Sequence, residues 1–124
     1  MSEITNYELR RRIFDLLGYM LYQGVKGYWV LQCPDGRIKS VILGNHIAES
    51  KVFTSYLENG EVLNWPEDLN AAAELLKRMP GYSLEWHQYQ WVIAVTTQWI
   101  CADKSPARAI CLAFVAMHEE KAND

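Results

Sequence analysis

YSLEWHQYQWVIAVTTQWI, residues 82–100, decides the fold. In YSLEWHQ (82–88), Tyr82, Leu84 and Trp86 alternate with Ser83, Glu85 and His87, the period of a strand with one better-buried face. WVIAVTTQWI (91–100) is a second β-branched and aromatic run, and so little chain separates the two, near Tyr89, that only a tight hairpin can join them. Antiparallel pairing follows, because parallel neighbours need a crossover of about a dozen residues or more.

Helices flank this hairpin. In ADKSPARAICLAFVAMH (102–118), Ser105 is the cap, Pro106 stands in the first turn, and Ala107, Ile110, Cys111, Phe114, Val115 and Met117 form a nearly continuous apolar face before the polar tail EEKAND. On the other side, WPEDLNAAAELLKRMPG (65–81) predicts a helix with Pro66 at or just before its first turn. Glu67 and Asp68 complement its positive end, Leu69, Ala72, Ala73, Leu76 and Met79 lie on one side, and Pro80-Gly81 stops it.

Near the start, Thr5 and Glu8 form a capping box, Ile4 and Leu9 stand at the positions of a hydrophobic staple, and Leu9, Ile13, Leu16 and Leu17 make an apolar stripe that ends at Gly18. A helix from about Asn6 to Leu17 is expected. YMLYQ (19–23) and YWVLQC (28–33) then read as a hairpin, followed by the turn CPDGR (33–37) and a third strand, KSVIL (39–43). Residues 44–64 have no clean period of either kind and read as an irregular insertion with room for a short helical turn. The expectation is one α+β domain over residues 1–124. Its antiparallel sheet of four to five strands is layered with three helices in the order α-β-β-(β)-α-β-β-α.

Composition bounds the function classes. Half of the 124 residues are apolar and 22% are charged, a globular balance. The net charge of −3 disfavours sequence-independent binding of nucleic acid. The one basic run, Arg10-Arg11-Arg12, spreads over about 200° of helical arc and cannot face a single phosphate track. Three cysteines, Cys33, Cys101 and Cys111, form no C-x-x-C pair and suit a reduced compartment. With neither an apolar leader nor a run of about 18 apolar residues, a soluble, cytoplasmic protein that does not enter a membrane is expected.

ELRRRIFDLLGY, YWVLQCPDGR, WPEDLNAAAELLKRM, YSLEW and ADKSPARAICLAFVAMHE, taken in this order and spacing, resemble the phage ABA sandwich domain family. The resemblance covers most of the chain outside residues 38–64. It implies an α/β/α-layered fold and a phage or prophage origin, hence location in the host cytoplasm, and it carries over no catalytic residue.

No nucleotide-cradling or esterase loop motif occurs. His46, His87 and His118 lie far apart, and Cys111 and His118 are about two helical turns apart, so neither a metal nor a cofactor is expected; Cys111 reads as a small core hydrophobe. Glu85 and His87 share one strand face about 7 Å apart, which could set an imidazole beside a carboxylate or simply decorate a wet face. Trp29, Trp86, Trp91 and Trp99 lie on expected strands, where one sheet can bury a few such rings but seldom all, and any left partly exposed would offer a stacking surface; Trp65, beside Pro66 and outside the regular elements, is expected to be the most exposed of the five. Lys104, Ser105 and Arg108 at a helix start could hold a phosphate or carboxylate, unless Arg108 pairs with Asp103 or another carboxylate.

The ligand-binding candidates are therefore Lys104, Ser105, Arg108, Trp65, Glu85 and His87. The leading expectation is a non-enzymatic, self-associating phage accessory protein that binds a host protein or a small anionic, nucleotide-like ligand in a counter-defence role. The alternatives are a small enzyme acting on nucleotides or phosphoesters, and a structural part of a phage assembly.

Overall fold

The computed structural model describes residues 4–24, 27–42, 47–60, 62–95 and 99–122. Among these described residues ten elements follow one another: α1 (Asn6–Leu16), β1 (Met20–Gln23), β2 (Trp29–Gln32), β3 (Ile38–Ile42), α2 (Glu49–Glu58), α3 (Leu69–Leu76), β4 (Tyr82–His87), β5 (Gln90–Val95), β6 (Trp99–Asp103) and α4 (Pro106–Ala122). The α+β class holds. The architecture differs in detail, with four helices and two three-stranded antiparallel sheets, β1-β2-β3 and β4-β5-β6, in place of three helices on one sheet. Contacts group the chain into two compact units, one of residues 1–13 and 64–124, the other of residues 14–63.

The first unit contains the stretch that decided the fold. β4 and β5 pair from Tyr82↔Val95 to His87↔Gln90 without a register shift, leaving Gln88 and Tyr89 as a two-residue loop. Both loop residues have positive φ, 45° and 70°, the backbone of a type I′ hairpin turn. The run read as one strand over 91–100 is two strands. β6 returns antiparallel to β5, pairing Ile93 with Cys101 and Val95 with Trp99; residues 96–98 lie outside the described set.

Residues opposite one another share a face. Ile93 and Val95 are fully buried on the face that α4 covers, whereas Ile100 on the other face is 65% exposed. Tyr82, Leu84 and Trp86 do lie on the covered face, but only Leu84 is half-buried; Tyr82 and Trp86 stay exposed. Alternation reports the face correctly, while burial depends on how far the helix layer reaches, and α4 packs on β5 and β6 rather than on the outer strand.

All six apolar positions expected for α4 are buried, together with Ala109 and Ala113, because the helix packs on α3 as well as on the sheet. Ser105 caps it as expected, its Oγ accepting from the Arg108 amide at 3.2 Å. α3 is shorter than the sequence suggests. Asn64 accepts from the amides of Glu67 and Asp68 in a turn, and Asp68 caps a helix that starts at Leu69, so the buried face is Ala71, Ala72, Leu75 and, beyond the helix end, Met79. Leu69 and Ala73, expected on the apolar side, are exposed instead, and Leu76 is half-buried.

The start of α1 belongs to this unit and follows expectation, with Thr5 Oγ1 accepting from the Glu8 amide at 3.1 Å and Leu9 and Ile13 buried. It is held by the α3 approach. Glu67 accepts from Asn64 Nδ2 at 2.8 Å and Asn6 Nδ2 at 2.9 Å, with Arg10 3.8 Å away. Those two amides, and the arginine, keep the Glu67 carboxyl below its ordinary value near 4.5. A carboxyl lowered by folding stabilises the fold above its unfolded value and loses that contribution as pH falls through the folded one. Replacing Glu67 with Gln should therefore narrow the urea-midpoint difference from wild type as pH drops from roughly 5. A difference that stays constant into acid would contradict this assignment.

In the second unit, β1, β2 and β3 form a meander, with Leu21, Val30 and Leu31 buried and a register shift at Leu31/Gln32. Gly18 takes φ 96°, as its position after the helix requires, and a Cβ there would press on Pro34 at 3.3 Å. The segment 44–64 is not an irregular insertion where it is described. It contains the ten-residue helix α2, whose Val52, Phe53 and Tyr56 enter the core, with Phe53 edge-on to Phe14 at 5.3 Å. Ala48 offers this helix no side-chain cap, so the usual start signal is missing from the sequence.

Candidate functional site

The turn that opens α4 is the best-organised polar cluster of the first unit. Asp103, the last residue of β6, turns its carboxylate onto the helix start: Oδ1 accepts from the Ser105 amide at 2.9 Å and Oδ2 from Arg108 Nε at 3.0 Å. The Arg108 guanidinium also donates to Asn6 Oδ1 and to the Ile4 carbonyl. Both charged side chains are mostly buried, 12% exposed for Arg108 and 16% for Asp103. Arg108 thus ties the N-terminal segment to the first turn of α4.

This arrangement answers the question posed by a cation at an electropositive helix end. The anion that the turn favours is already there, and it is Asp103. Beside it lies an open cavity of about 580 Å³ whose polar lining includes Thr5, Asn6, Gln90, Asp103, Lys104 and Arg108. Among the described lining residues only Lys104 is an exposed cation, since Arg108 is engaged on three acceptors. Asn6, Ile4 and Gln90 were not visible as members of the cluster. Asn6 and Ile4 lie more than a hundred residues from Arg108 in sequence, and no local pattern marks such a contact.

Glu85 and His87 do meet, Oε2 to Nε2 at 2.7 Å, so the same-face reading is correct. Both are more than half exposed, and the β5 residues opposite them are Val92 and Gln90. Neither position offers a hydroxyl or thiol for the imidazole to activate. Cys111, fully buried in α4, has its thiol pushed up to about 12 by burial, which Arg108 only partly opposes, so it carries no thiolate at neutral pH. Among the described residues no group of three or more His, Cys, Asp or Glu gathers as a metal site, and no helix is long and apolar enough to cross a membrane. His46 lies outside the described residues.

Trp65 is a correction. It is 2% exposed rather than open, because the turn from Asn64 to Asp68 carries it and Pro66 inward. Among the described residues of this unit, the exposed aromatic surface lies instead on the β4–β5 hairpin. Tyr89 at the tip is 86% exposed, Trp86 is 53% exposed and meets Trp91 edge-on at 5.5 Å, and Tyr82 is 45% exposed. The sequence signals for it are the number of tryptophans on the strands, more than one sheet buries, and Gln88-Tyr89 standing where a two-residue turn favours Asn-Gly. Lys104, Ser105 and Arg108 share one turn, Glu85 and His87 form a separate pair on β4, and Trp65 joins neither.

Comparison with protein-family models, with curated proteins and with solved structures finds no match to this chain.

Proposed function

We propose that the chain is a non-catalytic binding protein that recognises another protein through its β4–β5 hairpin, acting in the cytoplasm of a host cell as a phage or prophage accessory. The observation that carries this reading is the hairpin tip. Tyr89 is presented almost fully to solvent from a left-handed backbone at φ 70°, a conformation that costs a non-glycine residue about 1 to 2 kcal/mol. A tyrosine kept at that cost and so exposed suits a rigid aromatic anchor in a protein interface.

Protein is favoured over a small anionic ligand because Asp103 neutralises the turn that would have held the anion. The enzyme reading is weakened because, among the described residues, those paired opposite Glu85 and His87 on β5 are Val92 and Gln90, neither a nucleophile, and the origin rests on the resemblance to the phage ABA sandwich family. A counter-defence role, in which the captured host protein is a defence effector, is consistent with such an origin.

The double replacement Gln88→Asn with Tyr89→Gly tests the reading, because it supplies the residues the turn favours and removes the anchor. Stability should rise by about 1 kcal/mol, while a host protein captured from bacterial extract by the wild type should be lost. Equal capture by both proteins, or turnover of a nucleotide panel by the wild type, would overturn the proposal.

A further inference from the structure

The outer edge of β4 has a geometry that selects its own occupant. In a two-residue hairpin the closing pair, here His87 and Gln90, is hydrogen-bonded, so Ser83, Glu85 and His87 turn their main-chain groups toward β5. The N–H and C=O groups of Tyr82, Leu84 and Trp86 therefore point outward from the sheet. The strand lies at the end of the order β4-β5-β6, and it carries no lysine, proline or bulge of the kind that normally guards such an edge.

We propose that this edge is a homodimer interface, in which a second copy adds its β4 antiparallel about a two-fold axis at Leu84 to join the two three-stranded sheets. Three constraints fix that register. A two-fold axis perpendicular to the sheet keeps each face on its own side, so only residues of equal parity can stand opposite each other. The outward groups at Tyr82, Leu84 and Trp86 must then meet their own kind, which gives Leu84 opposite Leu84 and Tyr82 opposite Trp86 at each end, with about six main-chain hydrogen bonds. Charge excludes the next register along, because it sets Glu85 against Glu85; in the chosen one Glu85 stands opposite Ser83.

The same pairing brings the exposed ring of Tyr82 against that of Trp86 twice, which is the aromatic area the single chain leaves open. Gly81, at φ 62°, turns the chain away where it would stand opposite the partner's His87. Pairing is isologous and consumes the edge, so assembly at this edge stops at two copies. The two Tyr89 tips then lie at opposite ends of the joined strands, about 30 Å apart given the rise of an antiparallel strand, and the dimer presents the recognition hairpin twice.

Sedimentation of the purified chain should give twice the chain mass at micromolar concentration. Leu84→Lys and Leu84→Glu should each sediment as folded monomers with wild-type circular dichroism, because each places like charges on the axis. Mixed in equal amounts, the two should regain the dimer, a result only the Leu84-opposite-Leu84 register gives. A wild-type monomer, or a dimer that survives both single changes, would overturn the interface. The Tyr89→Gly change should leave the dimer intact, so failure of the interface and failure of the hairpin as a recognition site are read separately.

Discussion

Arg108→Ala is expected to destabilise the protein by about 3 kcal/mol, because it leaves the Asp103 carboxylate buried without its counter-charge. The change also strips a donor from Asn6 and from the Ile4 carbonyl, so the N-terminal segment loses its tie to α4. Urea unfolding would show it as a lower midpoint with an unchanged slope. Arg108→Lys should recover only part of the loss, since an ammonium cannot reach three acceptors with the fixed fork of a guanidinium. A midpoint equal to wild type for Arg108→Ala would mean that the cluster contributes nothing, and the case for Arg108 as a ligand-binding cation would reopen. With total stabilities of about 5–15 kcal/mol for a domain, a loss of this size is easily measured.

Trp65→Ala is expected to cost about 3–5 kcal/mol, the range for removing a large aromatic side chain from a packed core. The side chain is 2% exposed, so the surrounding atoms lose their contacts outright unless the turn from Asn64 to Asp68 collapses inward. That turn also holds Glu67, and so carries the Asn6 contact with it. Trp65→Phe, which refills much of the volume, should lose markedly less. Had Trp65 been the open stacking surface suggested by its place outside regular structure, Trp65→Ala would leave stability within about 0.5 kcal/mol of wild type.

The contrast between these two residues shows what the sequence could and could not reveal. Patterns spanning a few residues were legible: the Thr5 and Ser105 caps, the left-handed Gly18, the alternation of β4 and the apolar face of α4 all appear as read. Features set by distant parts of the chain were not. Arg108 meets Asn6 across 102 positions, Trp65 is buried by tertiary packing, and Trp86 is exposed because the helix layer covers β5 and β6 instead of β4. α2 was missed for a local reason. Its N-cap is an alanine, and its buried set of Val52, Phe53 and Tyr56 is too short for its period to stand out.

The candidate site changed in the same way. Lys104, Ser105 and Arg108 were correctly grouped, but whether their positive field faced a ligand or an internal carboxylate depended on where Asp103 pointed, and residue spacing does not fix a side-chain direction. Glu85 and His87 were correctly paired, yet the absence of a nucleophile opposite them followed only from the register with β5. The aromatic tip, by contrast, had a readable signal in Gln88-Tyr89, a pair that a type I′ turn does not favour.

The account rests most heavily on Tyr89 as an anchor for another protein. A photo-crosslinking phenylalanine derivative placed at Tyr89 in host cells, compared with the same probe at the exposed Lys51, tests that directly. The account predicts a discrete adduct to one host protein from position 89 and none from position 51. Equal labelling from both positions, or none from position 89, would contradict it.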